Sequence, residues 1–192
     1  LAEKKINGHE NGEALAFDVF DEKLRKDLIA AADVVISMLP ARFHPMVAGL
    51  CVDLGKHMIT ASYISDEIKG LNEKAQQNDV LLLNEMGVDP GIDHMSAMQV
   101  LDRIRKNGGK IIAFESSTGG LVAPEHDNNP WNYKFTWNPR NVVVAGQGVS
   151  RFLHNGQFKY IPYHKLFSRT ELTEVLDFGQ FEIYPNRDSL KY

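Results

Sequence analysis

Apolar and polar positions alternate along this chain in two periods, and the first 85 residues switch repeatedly between them. Ala14-Leu-Ala-Phe-Asp-Val19 reads as a strand, Asp21 to Ala32 as a helix, and Asp33-Val-Val-Ile-Ser-Met-Leu39 as a strand that stops at Pro40. Phe43, Met46, Val47, Leu50, Cys51 and Leu54 then fall at i, i+3, i+4, i+7, i+8 and i+11, one continuous stripe of a helix. The strand His57 to Ala61 follows, then a polar helix from Ser65 to Gln77 and a short apolar run, Val80 to Leu83, of the kind that suits a strand covered on both faces. Strand and helix repeated at this spacing predict an α/β fold with a parallel sheet.

The run Asn84-Glu-Met-Gly-Val-Asp-Pro-Gly-Ile-Asp-His-Met-Ser-Ala97 places turn chemistry where a buried strand hands over to a helix. Open α/β sheets bind ligands at such handovers. Ile92 to Arg105 reads as helix, with Asp89 placed as its N-cap and Pro90 at its first position. A cap alone requires neither the second carboxylate, Asp93, nor the imidazole of His94 that follow. Ser37-Met-Leu-Pro40 and Thr60-Ala-Ser-Tyr63 also sit at the C-terminal ends of predicted parallel strands. Each alone is an ordinary turn, but three polar strand ends on one edge of a sheet build a single ligand crevice.

Past Arg105 the pattern changes. Lys110 to Ser117 alternates as a strand does, Gly119 to Pro130 is a long loop with two prolines, and Trp131, Tyr133, Phe135 and Trp137 crowd together. The domain boundary is expected between residues 88 and 96, dividing a partial dinucleotide-binding domain, 1–90, from a partial substrate-binding domain, 91–192. Val142-Val-Val-Ala-Gly-Gln-Gly-Val-Ser-Arg151 imitates a dinucleotide fingerprint, but Arg151 holds the third glycine position. The next strand-like run, Phe158 to Tyr163, comes too soon for a parallel crossover, so a helix with packed glycines is the better reading.

Composition narrows the partners. With 43% hydrophobic and 24% charged residues and a net charge of -4, the 192-residue chain lacks the basic face that nucleic acid requires. No stretch is apolar enough for a membrane helix, so a soluble protein acting on small molecules is expected. Cys51, the only cysteine, excludes an intrachain disulfide and points to a reducing compartment, the cytoplasm, and to a buried inert thiol. The seven histidines form no metal-ligand spacing, and no Gly-x-Ser-x-Gly elbow is present. No metal is expected. Arg187, beside Pro185 and between Asn186 and Asp188, is either a solvated surface residue or a two-pronged carboxylate clamp.

Assembled, these segments resemble the saccharopine dehydrogenase family, and within it the glutamate-forming, NADP-dependent reductases. The resemblance rests on Asp33 to Pro40, Ala61-Ser-Tyr63, Asn84 to His94, Gly119-Gly-Leu121 with Pro124-Glu125, Tyr133-Lys-Phe-Thr-Trp137 and Tyr184-Pro-Asn-Arg-Asp-Ser189. It implies a Rossmann-like doubly wound parallel sheet, lacking its first strands, followed by part of an α+β substrate domain.

The resemblance also implies the chemistry. Hydride transfer from saccharopine to NADP, or to NAD, would yield an imine that water splits into L-glutamate and 2-aminoadipate 6-semialdehyde, a reaction of lysine metabolism that can also run as the condensation. Ser37, Leu39, Pro40, Thr60, Ser62, Val88, Asp89, Pro90 and Trp137 would line the cofactor. Ser62, Tyr63, Asp89 and Arg187 would hold the substrate, with Asp89 and Tyr63 as the catalytic candidates or as binding groups only; a homodimer is an allowed assembly. Related carboxynorspermidine dehydrogenases, homospermidine synthases and catalytically silent relatives are the alternative readings. Some relatives carry a cysteine where this chain has Thr118, so no thiol role is carried over. The family opens with a strand, a Gly-rich loop and a second strand, which makes this chain read as an internal fragment and leaves the edge of Ala14 to Val19 without its neighbour.

Overall fold

A computed structural model describes residues 1–136, 138–144 and 147–191. They form two compact units, Leu1–Phe114 and Glu115–Tyr192. The first is built on three parallel strands, β1 (Val34–Ser37), β2 (His57–Thr60) and β3 (Leu82–Leu83), in the order β1-β2-β3. Helix α1 (Ala2–Ile6) precedes the sheet in the chain, as does α2 (Glu22–Ala31), whose first turn is capped by Asp21 accepting from the Leu24 N–H at 3.0 Å. Helix α3 (His44–Asp53) joins β1 to β2, and two short helices, α4 (Asp66–Lys69) and α5 (Asn72–Gln77), join β2 to β3. Helix α6 (Ile92–Lys106) closes the series.

Apolar burial holds these layers together. Ile29 of α2, Val47, Ala48 and Cys51 of α3, Met58 of β2 and Ile68 of α4 form one cluster, with Val35, Leu39 and Leu82 packed against it. Val52, Ala75 and Val80 form a second cluster that shares Leu82. The other side of β1 is open, with Val34 and Ile36 exposed. The buried residues of α3 are His44, Val47, Ala48, Cys51 and Val52; Val47 and Cys51 belong to the expected stripe, Leu50 and Leu54 of that stripe pack against the same core, and the face is wider than expected because this helix is apolar almost all round. The expected single helix from Ser65 to Gln77 is broken at Gly70, its weakest helix former, and Leu71 turns into the core beside Ile68.

The second unit is antiparallel. After the short helix α7 (Pro139–Val144), β4 (Val149–His154) pairs with β5 (Gln157–Pro162), and after α8 (Tyr163–Leu166), β6 (Glu171–Val175) pairs with β7 (Gly179–Ile183). Gly148 therefore leads into a hairpin strand, in place of the helix expected through Arg151, while Ala145 and Gly146 of that expected helix lie outside the described residues. Neither Ala14 to Val19 nor Lys110 to Ser117 is a strand. A strand exists only through exchange of hydrogen bonds with a neighbour, and neither run has one among the described residues. The Val19 carbonyl accepts from the Arg25 guanidinium instead.

Cys51 is fully buried, and burial pushes its thiol up to about 11. Such a thiol should react with an aromatic disulfide only as fast as the fold opens, and at once in denaturant. Timed thiol titration checks this, and an immediate native burst would put Cys51 at the surface.

Candidate functional site

The last rung of the sheet pairs Ser37 of β1 with Thr60 of β2, so two hydroxyls stand side by side at the C-terminal strand ends. His44, the first residue of α3, lies against them. Its Nδ1 is 2.9 Å from Ser37 Oγ, while its Nε2 is 2.8 Å from Ser62 Oγ and 3.3 Å from Thr60 Oγ1. Ser37, His44 and Thr60 are buried, whereas Ser62 is half-buried. The Ser62 N–H also donates to Thr60 Oγ1 at 3.3 Å. Loss of solvation lowers the His44 pKa, so the ring is held neutral, with one nitrogen donating and the other accepting.

The rim above this floor comes from two loops. After β2, the Tyr63 hydroxyl donates to the Asp89 carboxylate at 3.1 Å. After β3, the Met86 N–H donates to the Thr60 carbonyl and the Glu85 N–H to the Ser62 carbonyl, both at 3.1 Å, which carries the chain across the sheet end. Glu85 further accepts from the Ile64 N–H at 3.2 Å. Both polar atoms of the Asn84 carboxamide are buried without a partner at the end of β3. An unpaired buried amide is costly, and a ligand's donor or acceptor would offset that cost.

Asp89 stands on a closed turn. Gly87 N–H donates to the Pro90 carbonyl at 2.9 Å and Ile92 N–H to the Gly87 carbonyl at 3.0 Å. The expected N-cap is corrected here: α6 begins after Gly91, and the Gly91 N–H donates to Asp93 at 2.8 Å. Asp93 thus serves the helix start, while Asp89 is turned to Tyr63 and Pro90 stays outside the helix. Partial burial acts to raise the Asp93 pKa, but hydrogen bonds from the Gly91 and His94 backbone and from the His94 ring outweigh it and hold the carboxyl below its usual range.

Of the other expected site residues, Leu39 packs on the core, Pro40 accepts from the Phe43 N–H at 2.9 Å, Val88 is exposed and Pro90 is buried. Trp137 lies outside the described residues. Arg187 belongs to the second unit, where its backbone is left-handed at φ 47° and its carbonyl accepts from the Arg151 N–H at 2.8 Å. Around it, Ser150 Oγ donates to the Pro185 carbonyl at 2.7 Å and the Arg151 guanidinium forks onto Asp188, with Nε to Oδ1 at 3.0 Å. Sequence reasoning missed His44 and Arg151. The signal for His44 was a histidine opening an apolar helix seven residues after a strand that ends in serine. Among the described residues no cluster of three or more His, Cys, Asp or Glu is placed to hold a metal.

Comparison with known proteins adds to this geometry. The family model for the Saccharopine dehydrogenase C-terminal domain matches residues 87–192, and that for the Saccharopine dehydrogenase NADP binding domain matches residues 1–83. The chain is 40% identical over 193 residues to an alpha-aminoadipic semialdehyde synthase of Arabidopsis thaliana, covering 100% of this chain and 18% of that protein. It is 39% identical over 191 residues to the saccharopine dehydrogenase (NADP+, L-glutamate-forming) of Schizosaccharomyces pombe, covering 100% and 42% respectively. The solved structure of apo histidine-tagged saccharopine dehydrogenase (L-Glu forming) from Saccharomyces cerevisiae superposes with a TM-score of 0.89 at 33% identity, over 99% of this chain and 42% of that one. The chain spans less than half the length of each of these relatives.

Gly91 has φ 151°, and a Cβ built there would collide with the Gly87 carbonyl. Gly91→Ala should therefore open the turn that carries Asp89 and destabilise the protein by about 1–3 kcal/mol or more. Urea unfolding measures it, and a loss under about 0.5 kcal/mol, the range of ordinary surface changes, would contradict the closed turn.

Proposed function

This chain belongs to the saccharopine dehydrogenase family, and from that premise we propose that the protein carrying it is an NADP-dependent oxidoreductase of lysine metabolism. It cleaves saccharopine to L-glutamate and 2-aminoadipate 6-semialdehyde, or runs the reverse condensation. The observation that carries the reading is the Tyr63–Asp89 hydrogen bond above the strand ends. The Tyr63 hydroxyl orients the exposed Asp89 carboxylate. An oriented, exposed carboxylate suits a secondary ammonium, the group at which saccharopine is cleaved.

The crevice fits a nicotinamide nucleotide. Its polar floor lies at the C-terminal ends of parallel strands, where such folds bind nucleotides, and the Asn84 carboxamide waits unpaired beside it. Bound NADP would supply the hydride acceptor. Ser37, Leu39, Pro40, Thr60, Ser62, Val88, Asp89 and Pro90 would hold it, and Trp137 is assigned there too. Asp89 balances the positive charge of the amine, Tyr63 and Ser62 orient it, and Arg187 pairs with a substrate carboxylate through its planar fork. Residues 1–90 would form the cofactor part and 91–192 the substrate part, an assignment supported by family models that end at 83 and begin at 87. The small-molecule substrate and the lone buried thiol suit the cytoplasm, with a homodimer as an allowed state.

Steady-state assay of the full-length protein with saccharopine beside carboxynorspermidine tests the proposal. NADP reduction with release of glutamate is expected from the first, and turnover of the second alone would overturn it.

Arg187→Lys should weaken saccharopine binding far more than NADP binding, since an ammonium cannot reproduce a two-pronged contact. The expected loss is about 1.5–3 kcal/mol, the worth of a hydrogen bond to a charged group. Substrate and cofactor KM values separate the effects, and an unchanged saccharopine KM would remove Arg187 from the site.

A further inference from the structure

Resting on the crevice reading above, we propose that His44 is a positioning residue of this site, setting the direction of the Ser62 hydroxyl from the sealed floor of the sheet. Three observations carry it. First, the imidazole is 1% exposed yet touches three hydroxyls, at 2.8, 2.9 and 3.3 Å, drawn from the ends of two strands and the loop after them. Core packing alone would be served better by a side chain with no polar atoms to satisfy. Second, a neutral ring donates at one nitrogen and accepts at the other, so the Ser37 and Ser62 bonds are coupled. With the proton on Nδ1, Ser62 donates inward and turns its lone pairs outward. With the proton on Nε2, Ser62 accepts from the ring and its own proton is free to point outward. In both states the hydroxyl is set by the imidazole.

Third, of the three hydroxyls only that of Ser62 belongs to a residue at the half-buried rim, since Ser37 and Thr60 are closed off. The chain of bonds therefore runs from a sealed anchor, Ser37, through His44 to the one hydroxyl a ligand reaches. The two ring nitrogens can be separated by substitution. Asparagine sets its carboxamide near the level of Nδ1 and keeps the link to Ser37, glutamine extends to the level of Nε2 and keeps the link to Ser62, and phenylalanine keeps the volume and neither link.

The test compares His44→Asn, His44→Gln and His44→Phe in the full-length protein, by kcat and KM for saccharopine and NADP, with melting temperature recorded in parallel. The expected result is that Asn and Phe lower kcat/KM for saccharopine by about five- to tenfold, the worth of one hydrogen bond, while Gln restores the larger part. In a Ser62→Ala background, the loss from Asn should vanish, because the hydroxyl it acts through is gone. Wild-type kinetics in the Asn variant, equal losses in Asn and Gln that follow melting temperature, or full additivity with Ser62→Ala would each overturn the inference. Should Phe fail to fold, the contrast of Asn with Gln decides. Absence of saccharopine turnover by the wild type would overturn the proposed function and this inference with it, whereas wild-type turnover with insensitive variants overturns this one alone.

Discussion

A neutral imidazole sealed over the last rung of a parallel sheet sets the terms for the first unit. Ser37 and Thr60 are paired in register, and both are closed off from water. Each hydroxyl there needs a partner, since a buried unpaired polar group costs about 1–3 kcal/mol. His44 meets Ser37 through Nδ1 and shares Nε2 between Ser62 and the more distant Thr60, whose hydroxyl oxygen also accepts from the Ser62 N–H. The helix start, the two strand ends and the loop after β2 are thereby tied to one ring. Shifting any of them would leave a buried donor or acceptor without its partner, so the floor of the crevice is specified by polar satisfaction as much as by apolar packing.

The parts of this fold that were legible from sequence are those whose period is set by burial. β1, β2 and β3, α2, α3 and α6 fall within a few residues of their expected places, because apolar side chains at fixed spacing leave few alternatives. Ala14 to Val19 and Lys110 to Ser117 carry the same alternation without a neighbour to pair with, and alternation alone cannot create the neighbour. The Asp89 cap was misread for a related reason. Asp89 and Asp93 are both placed to cap a helix, and only the closed turn at Gly87 and Gly91 decides that Asp93 takes the Gly91 N–H. The pairing of Tyr63 with Asp89 across 26 positions was legible only through resemblance, since no local rule links the two.

In the second unit an ion pair does what the imidazole does in the first. The fork of Arg151 on Asp188, its N–H on the Arg187 carbonyl, and the Ser150 hydroxyl on the Pro185 carbonyl hold the segment 185–188 against β4. Arg151 drew notice in the sequence only as the residue that spoils a dinucleotide fingerprint. Its position in β4, facing a loop 37 residues later, is what gives it a role. The arginine read as a clamp and the arginine that fixes the clamp's loop are different residues.

The turn from Gly87 to Asp93 explains how two carboxylates so close together come to do different work. Asp93 is held by the Gly91 N–H and by the His94 ring, and so steadies the first turn of α6. Asp89, at the outer side of the same turn, receives the Tyr63 hydroxyl, a neutral donor that orients a carboxylate without cancelling its charge. A carboxylate that is oriented but still negative is what a cationic ligand requires. Because Gly91 carries no side chain, its backbone lies directly against that of Gly87, which closes the turn that presents Asp89. The same closure that displaces Asp89 from the helix cap therefore keeps its charge available at the rim.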